Sequence, residues 1–272
     1  MARRRTLSKS VEAGGIALHA GVRARVRLHP AAPGSGIAWR RHDLDGETIA
    51  ALWSNVTDTR LNTRLGGEDG VAVVEHVMAA LAGAEIDDCL VEVDGPEPPI
   101  LDGAAASFLA LLENAGVTEV EAPRAVLRVL RRVEWSDGKG ASAALLPAPH
   151  YEFGFEIDFP IAGIGKQTID WSFSREAFAR DIAPARTFGM MEDKEKLNAV
   201  GLGRGAALDN TLVFERGKLL NPQAQKFPDE FVRHKILDAL GDMKLAGYPV
   251  LARFEGRRSG HTVTNALLRV LF

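Results

Sequence analysis

The chain has 272 residues, of which 46% are hydrophobic and 25% are charged. This composition is typical of a folded globular protein and excludes a disordered one, and the length predicts about two domains. The formal net charge of -3 excludes a generally basic nucleic-acid-binding protein, so we expect no nucleic acid among the partners.

The N-terminal segment is basic but has no apolar run behind it, which argues against a secretory signal. No stretch approaches the ~20 apolar residues that a membrane-spanning helix needs. The sequence therefore predicts a cytoplasmic protein without a transmembrane segment. Its single cysteine, Cys89, excludes an intramolecular disulfide and a thiolate zinc cluster, and we expect the thiol to be buried.

The first half of the chain alternates between strand and helix patterns. Period-two alternation of apolar residues predicts strands at residues 22–28, 37–41 and 90–93. We expect the first two strands to form a hairpin across a turn at residues 30–36. Apolar residues at helical spacing predict helices at residues 73–81, before Gly83, and at residues 104–114, between a capping Asp102 and Gly116.

The second half repeats this order after residues 121–123, which predict a linker between domains 1–122 and 123–272. Strands are predicted at residues 125–134, 151–159 and 249–254. Helices are predicted at residues 231–246 and 261–271. Mixed strands and helices, with more hairpins than crossovers, predict an α+β sandwich in each half.

A polar stripe lies on the helix predicted at residues 231–246. His234 and Asp238 are four residues apart, which puts their Cβ atoms ~5–6 Å apart on one helix face, and Asp242 continues the stripe by one turn. That spacing suits a metal ion held by one nitrogen and one oxygen. Apolar residues fill the other faces, so the stripe must face either water or a site, and the spacing alone leaves both open.

Three further segments carry chemically useful groups. Glu75 and His76 adjoin on a predicted helix, where they can flank one metal ion and its water. His261 follows a glycine at an electropositive helix N-terminus, which suits negative charge. His19 lies in a glycine-flanked segment that a ligand can approach closely. These segments together supply the groups of a hydrolytic zinc site with one position open to water. The groups are two histidines, an aspartate, a spare carboxylate and a spare imidazole.

Five segments, in order and with matching spacing, closely resemble the UDP-3-O-acyl-N-acetylglucosamine deacetylases of lipid A biosynthesis. They are Val-Glu-His at 74–76, Pro-Ile-Leu-Asp-Gly at 99–103, Ala-Arg-Thr-Phe-Gly at 185–189, Asp-Glu-Phe-Val-Arg-His-Lys-Ile-Leu-Asp at 229–238 and Ser-Gly-His at 259–261. The resemblance extends from Thr6 to Leu271. It implies a zinc-dependent amidohydrolase of Gram-negative bacteria that releases acetate from UDP-3-O-[(3R)-3-hydroxyacyl]-N-acetylglucosamine, the committed step of lipid A biosynthesis.

The resemblance also implies a role for each polar residue of the site. The ligands of Zn2+, which Fe2+ can replace, are then His76, His234 and Asp238. A zinc-bound water is the implied nucleophile, with Glu75 as its general base. His261, oriented by Asp242, stabilises the oxyanion and acts as the general acid.

Substrate contacts are implied in the same way, and one insert is implied to form a passage for the acyl chain. The implied contacts are Thr187 at the oxyanion, Phe188 and Lys235 at the sugar, Arg258 at the diphosphate, His19 near the site, and Met190 and Gly205 within the insert at about 190–213.

The fold implied is two α+β domains of similar topology, each a β-sheet layered with helices. The helices pack between the two sheets, and the zinc lies in the cleft between the domains. Because one chain supplies every ligand, we expect a monomer to be active.

Two other function classes fit part of the pattern. Two histidines and one carboxylate also describe the facial triad of an iron(II) oxygenase, but Glu75 and His261 would then be surplus. A non-catalytic module that binds a sugar nucleotide or a lipid has no need of a general base. The complete set of polar residues therefore favours the hydrolase.

Overall fold

The structure is a computed structural model that describes residues 2–272. Within them the strands are β1 (Arg3–Leu7), β2 (Val11–Ile16), β3 (Arg23–Pro30), β4 (Ile37–Arg41), β5 (Ile49–Ala50), β6 (Val56–Asp58), β7 (Arg64–Leu65), β8 (Cys89–Asp94), β9 (Val117–Pro123), β10 (Leu127–Arg128), β11 (Val133–Ser136), β12 (Ser142–Leu146), β13 (Glu152–Phe159), β14 (Gly165–Ser172), β15 (Phe188–Met190), β16 (Leu212–Glu215), β17 (Lys218–Leu219), β18 (Val250–Leu251) and β19 (Arg253–Arg257). The α-helices are α1 (Glu75–Gly83), α2 (Ala106–Ala115), α3 (Arg175–Ala177), α4 (Lys194–Ala199), α5 (Glu230–Met243) and α6 (His261–Leu271). Short 3₁₀ segments lie at His42–Leu44, Trp53–Asn55, Met191–Asp193, Pro222–Ala224 and Lys244–Ala246, and a π-helical turn lies at Phe178–Ile182.

Two five-stranded sheets share one connectivity. The first has the order β2-β3-β8-β4-β5, and its central β8 is antiparallel to β3 and parallel to β4. The second has the order β11-β12-β19-β13-β14, and its central β19 is antiparallel to β12 and parallel to β13. In each half, two hairpins flank a strand from later in the chain. The expected α+β fold with two domains of similar topology is therefore confirmed, while the boundary between residues 122 and 123 stays a prediction.

Helices fill the space between the two sheets. Helix α2 packs on β2, α5 packs on β13 and β14, and α6 packs on β11 and β12. Helix α1 contacts both α2 and α5, and α5 also contacts α6. Most of the buried apolar side chains form one cluster across both halves, and a small separate cluster contains Leu18, Ala72, Val73 and Ile100. The expected packing of helices between sheets is thus present.

One glycine sets how closely the central helices approach. A Cβ atom at Gly241 of α5 would lie 2.1 Å from the carbonyl oxygen of Glu75 in α1. Only a residue without a side chain permits that contact. The first turn of α1 therefore lies against the middle of α5.

The predicted hairpin between residues 22–28 and 37–41 is wrong. Both strands exist, but β8 lies between them and pairs with each. The connection over residues 31–36 is longer than a tight hairpin turn. Cys89, Val91 and Val93 of β8 are fully buried, so burial favours a central place for this strand.

The predicted linker and two predicted strands also need correction. Residues 121–123 end strand β9, which pairs with β1 along Arg3–Leu7. The strand predicted at residues 125–134 is two short strands, β10 and β11, in different sheets. Strand β10 pairs with β18, whereas β11 pairs with β12. The strand predicted at residues 249–254 is likewise divided into β18 and β19.

The sequence predicted that Asp102 caps helix α2, but in the structure Asp102 does not cap this helix directly. Its Oδ1 accepts a hydrogen bond from the hydroxyl of Ser107 at 2.7 Å, and Ala105 occupies the N-cap position without a side-chain bond. The end of α2 before Gly116 and the burial of the Cys89 thiol are confirmed. None of the helices in residues 2–272 has the length and apolar character needed to cross a bilayer.

Candidate metal and active site

Three buried side chains from α1 and α5 converge where these helices touch. One potential ligand atom from each of His76, His234 and Asp238 lies within 4.8 Å of the others. Nε2 of His234 is 3.3 Å from Oδ1 of Asp238. Ligands bound at ~2.0–2.1 Å around a tetrahedral zinc ion lie roughly 3.3–3.4 Å apart. The spacing of this pair therefore fits a shared metal ion.

The protonation states of the three groups also suit a metal. Burial lowers the pKa of His234 and lowers that of His76 to about 3, so both rings are neutral at pH 7. Burial alone would raise the pKa of Asp238, but His234 and Lys235 hold it well below its usual range. Nδ1 of His234 lies 3.0 Å from the carbonyl oxygen of Ala185. Donation from Nδ1 to this oxygen leaves the Nε2 lone pair facing Asp238, as in ligating histidines. Two neutral imidazoles and one carboxylate form a donor set for zinc or iron(II).

Glu75 and His261 face the same small space as these groups. Nε2 of His261 lies 3.9 Å from Oε1 of Glu75 and 3.9 Å from Oδ2 of Asp238. Nδ1 of His261 lies 2.8 Å from Oδ2 of Asp242. The imidazole is thereby held on one side and presents its other nitrogen to the site.

The surroundings of Glu75 and His261 raise the pKa values of both groups. Burial raises the pKa of Glu75 to about 8, although the charge of His261 opposes the shift. Burial alone would lower the pKa of His261, but Asp242, Glu75 and Asp238 raise it to about 9. A cationic imidazole and a carboxyl group with raised proton affinity therefore lie side by side.

Thr63 joins these groups, and the sequence patterns did not identify it. Its backbone N–H donates to Oε2 of Glu75 at 3.0 Å, and its hydroxyl donates to Oδ1 of Asp242 at 2.6 Å. The hydroxyl oxygen also lies 3.2 Å from Nδ1 of His261. The only available signal was a polar run of three residues, Asn62 to Arg64, between two leucines, which is too common to indicate a site.

Helix α1 begins in strained backbone beside Thr63. Val73 has a φ of 56°, which is unusual for a β-branched residue. Its backbone N–H donates to Oδ1 of Asn62 at 3.4 Å, and the N–H of Val74 donates to the carbonyl oxygen of Thr63 at 3.3 Å. These contacts fix the segment that places Glu75 at the entrance of the helix.

A cavity of about 730 Å³ opens from this cluster and is called the catalytic cavity below. Its walls include all three potential ligands, Glu75 and His261. Of the residues implied as substrate contacts, those that line it are His19, Thr187, Phe188, Met190 and Lys235. The structure thus brings most of the expected residues to one space.

The insert at about 190–213 forms one wall of the catalytic cavity. Met190, Leu197 and Ala206 contribute apolar surface from the insert, and Phe159 and Ile161 contribute it from outside the insert. Two backbone N–H groups hold the insert to the first half, since Arg204 and Gly205 donate to the carbonyl oxygens of His19 and Leu18.

Gly205 and Arg258 lie outside the lining of the catalytic cavity. Gly205 packs on the backbone of Ala17, where a Cβ atom would meet the carbonyl oxygen at 2.1 Å. Arg258 is exposed, and its backbone N–H donates to the carbonyl oxygen of Glu156. Lys235 lines the cavity, but its ammonium group is bound to Oδ2 of Asp238 at 2.6 Å.

The chain is similar to known proteins over nearly its whole length. A sequence model of the family described as LpxC, UDP-3-O-acyl N-acetylglycosamine deacetylase, matches residues 4–272. Three similar proteins are named UDP-3-O-acyl-N-acetylglucosamine deacetylase. The one from Myxococcus xanthus (strain DK1622) is 48% identical over 268 residues, which cover 97% of this chain and 85% of that protein. The relative from Phenylobacterium zucineum (strain HLK1) is 44% identical over 261 residues, which cover 94% of this chain and 89% of that protein. The relative from Neisseria meningitidis (serogroup A) is 41% identical over 273 residues, which cover 98% of this chain and 89% of that protein. The chain therefore belongs to the UDP-3-O-acyl N-acetylglycosamine deacetylase family.

Proposed function

We propose that this chain hydrolyses the acetamide of a UDP-3-O-(3-hydroxyacyl)-N-acetylglucosamine and releases acetate and the free amine. The observation that carries the proposal is the convergence of a two-histidine, one-aspartate ligand set with Glu75 and His261 at one end of the catalytic cavity. The names of the relatives support the substrate. The apolar wall at the insert supports an acyl chain as part of it.

The metal proposed for the site is zinc, with iron(II) as a substitute that the same donors accept. His76, His234 and Asp238 would hold it. When bound, it would supply Lewis-acid polarisation and make a water molecule more acidic.

The residues around the ligands would move the protons. Glu75 would take a proton as the water oxygen bonds to the acetyl carbon, and the neighbouring charge of His261, which lowers the pKa of Glu75 against the effect of burial, favours the ionised form that a general base needs. His261, charged and held by Asp242, would stabilise the negative charge that develops on the acetyl oxygen. As the carbon–nitrogen bond breaks, a proton from His261 would go to the departing amine. Thr187 lines the cavity where its hydroxyl can add a further donor.

Two variants test these roles. We expect Glu75→Ala and His261→Ala each to lower turnover by ~10²–10⁴-fold, while the metal content stays near one per chain, because neither residue is a ligand. Acetate release and metal content would be measured on the same preparations. Glu113→Gln is the control, since Glu113 is an exposed carboxylate of α2. Near wild-type turnover in Glu75→Ala would contradict the general-base role.

A separate assay tests the activity itself. Metal-replete protein is given UDP-linked substrates of graded acyl length, with and without a chelator. Chelator-sensitive acetate release is the expected result. Oxygen uptake without acetate release would favour the oxygenase, and substrate binding without turnover would favour a binding module.

A further inference from the structure

The insert at about 190–213 is fixed to the first half of the chain at one turn, residues 17–21, which is called the docking turn below. Leu18 and His19 of the docking turn line the catalytic cavity, and Gly203 lines it from the insert. The contact between the docking turn and the insert is therefore part of the cavity wall.

Three hydrogen bonds join the docking turn to the insert. The backbone N–H of Arg204 donates to the carbonyl oxygen of His19 at 3.1 Å. The N–H of Gly205 donates to the carbonyl oxygen of Leu18 at 3.0 Å. The N–H of Gly203 donates to Nδ1 of the His19 ring at 3.2 Å. Three consecutive N–H groups of the insert are thus bound by two consecutive residues of the docking turn.

The backbones also approach each other closely at this contact. A Cβ atom at Gly21 would lie 2.8 Å from Cβ of Arg204. A Cβ atom at Gly205 would lie 2.1 Å from the carbonyl oxygen of Ala17. Neither position has room for a side chain, so a shift of the docking turn must be passed on to the insert.

The carboxylate of Glu97 holds the docking turn through two backbone groups. Its Oε2 accepts a hydrogen bond from the N–H of His19 at 2.8 Å, and its Oε1 accepts one from the N–H of Ala20 at 2.9 Å. The Glu97 side chain is buried. Hydrogen bonds to a carboxylate are stronger than those between neutral groups, and leaving a buried donor without its acceptor is costly. Glu97 therefore fixes the orientation of two peptide groups of the docking turn.

The segment that carries Glu97 is itself held on both sides. The N–H of Ala72 donates to the carbonyl oxygen of Pro96 at 2.9 Å. The N–H of Ile100 donates to the carbonyl oxygen of Ile16 at 2.9 Å. A continuous series of contacts therefore runs from the fixed backbone around Glu97, through the docking turn, to the insert.

From these contacts we infer that Glu97 is a positioning residue that decides which acyl chains the catalytic cavity accepts, because it holds the docking turn to which the insert is fixed. Glu97 itself lies outside the lining of the cavity, so it acts through the turn. The inference rests on the proposed function, since it requires an acylated substrate. Each buried methylene adds to binding, so a displaced apolar wall weakens the binding of a long chain more than that of a short one.

Hydrogen exchange on the full chain tests the structural step without any substrate. Glu97→Gln leaves one acceptor oxygen and sets an amide NH₂ against a backbone N–H. We expect the amides of residues 203–205 to exchange roughly tenfold faster in this variant. Glu92→Gln is the matched control, because Glu92 is also a buried carboxylate of the first half but binds the side chains of Arg40 and His29. The control should leave exchange at residues 203–205 unchanged.

Steady-state kinetics test the effect on specificity. The two substrates are UDP-N-acetylglucosamine derivatives that differ only in the 3-O-acyl group, which is a long 3-hydroxyacyl chain in one and acetyl in the other. In Glu97→Gln, KM for the long-chain substrate should rise roughly tenfold while kcat stays within about twofold. Both constants for the acetyl substrate should stay within about twofold. Unchanged exchange at residues 203–205, or an equal loss of kcat/KM for both substrates, would overturn the inference.

Gly205→Ala keeps the test available if Glu97→Gln folds poorly, because the new Cβ atom separates the insert from the docking turn without touching Glu97. It should raise KM for the long-chain substrate in the same way. The double variant should show less than the sum of the two effects, since both changes break one contact, and full additivity would contradict the inference. A wild-type chain that releases no acetate would refute the proposed function, whereas acetate release with unaltered selectivity in these variants would refute only the role of Glu97.

Discussion

At the residue scale, one hydroxyl links the groups proposed to handle protons. Thr63 donates to Asp242, which in turn is hydrogen-bonded to His261, and its backbone N–H binds Glu75. It touches no potential metal ligand within hydrogen-bonding distance, so it acts as a positioning residue. The contribution of its hydroxyl must therefore pass through Asp242 and the orientation of His261.

We expect Thr63→Val to lower kcat roughly 10–100-fold with little change in KM, because Asp242 loses the Thr63 hydroxyl donor and holds the His261 imidazole less firmly. Thr63→Ser keeps the hydroxyl and should restore most of the activity. Steady-state kinetics of both variants check this, with metal content measured alongside. If serine rescues nothing, the hydroxyl is not what matters at this position.

The residues of α5 show how far single positions were predictable. The stripe of His234, Asp238 and Asp242 was visible because helical spacing alone puts residues four apart on one face. All three side chains are buried, so the stripe faces a site rather than water. Thr63 was not predictable, since two of its neighbours in space, Asp242 of α5 and His261 of α6, lie 179 and 198 residues away in the sequence.

At the element scale, the approach of α1 to α5 assembles the ligand set. A Gly241→Ala change would normally add ~1 kcal/mol of helix stability, but here the new Cβ atom meets the backbone oxygen of Glu75 at 2.1 Å. We expect a net loss of roughly 1–3 kcal/mol from overpacking and lower metal affinity, because His76 moves with α1. Denaturant unfolding and metal titration check both effects.

Gly14→Ala is the matched control for Gly241→Ala. Its Cβ atom would lie 3.8 Å from the nearest oxygen, that of Ala24, so the change should alter the free energy of unfolding by only ~0.5 kcal/mol. Equal stability of the two alanine variants would show that the helices can separate without cost.

Helices were easier to predict than strand partners. Helices α5 and α6 begin and end within a few residues of their predicted bounds, since both patterns are amphipathic and Gly247 ends the short 3₁₀ segment that follows α5. Alternation indicates that a segment is extended but does not specify its neighbour. The insertion of β8 between β3 and β4, and the division of residues 125–134 between two sheets, depend on long-range pairing.

At the scale of the whole molecule, a bound metal would connect the two halves. His76 comes from the first half, and His234 and Asp238 come from the second. A ligand that binds only the folded state at ~100 times its Kd adds about 2.7 kcal/mol of stability. Removing the metal with a chelator should therefore lower Tm by ~5–10 °C, and added zinc should restore it.

Differential scanning calorimetry checks the chelator effect. His76→Ala is the control, because a variant that lacks a ligand should respond weakly to chelator. If the chelator lowers the metal content to near zero and the wild-type Tm does not change, the result would contradict a metal that links the two halves.

Lys244 gives the whole molecule a predictable pH dependence. Burial lowers its pKa from 10.5 to about 8, with Arg124 and Arg4 lowering it and Asp87 and Glu85 raising it. Between pH 8 and 10.5 the unfolded chain binds more protons than the folded chain, so stability from this group rises with pH. The destabilisation is complete below pH 8.

Lys244→Leu should therefore be more stable than the wild type by roughly 1–2 kcal/mol at pH 7, a value reduced for the partial exposure of the side chain. The difference should shrink as the pH approaches 10.5. Urea unfolding of both proteins across this range measures it. A difference that grows with pH would have the wrong sign for a depressed lysine pKa.

The sequence by itself determined the chemistry available to this protein and the helices that carry it. A chain with one cysteine and paired His and Asp residues at helical spacing can build only a nitrogen and oxygen metal site, and local periodicity defines amphipathic helices. The tertiary structure decided which strands are neighbours, that Thr63 joins Glu75 to Asp242, and that the Lys244 side chain is partly buried. These features depend on contacts between residues distant in the chain, which periodicity and spacing do not encode.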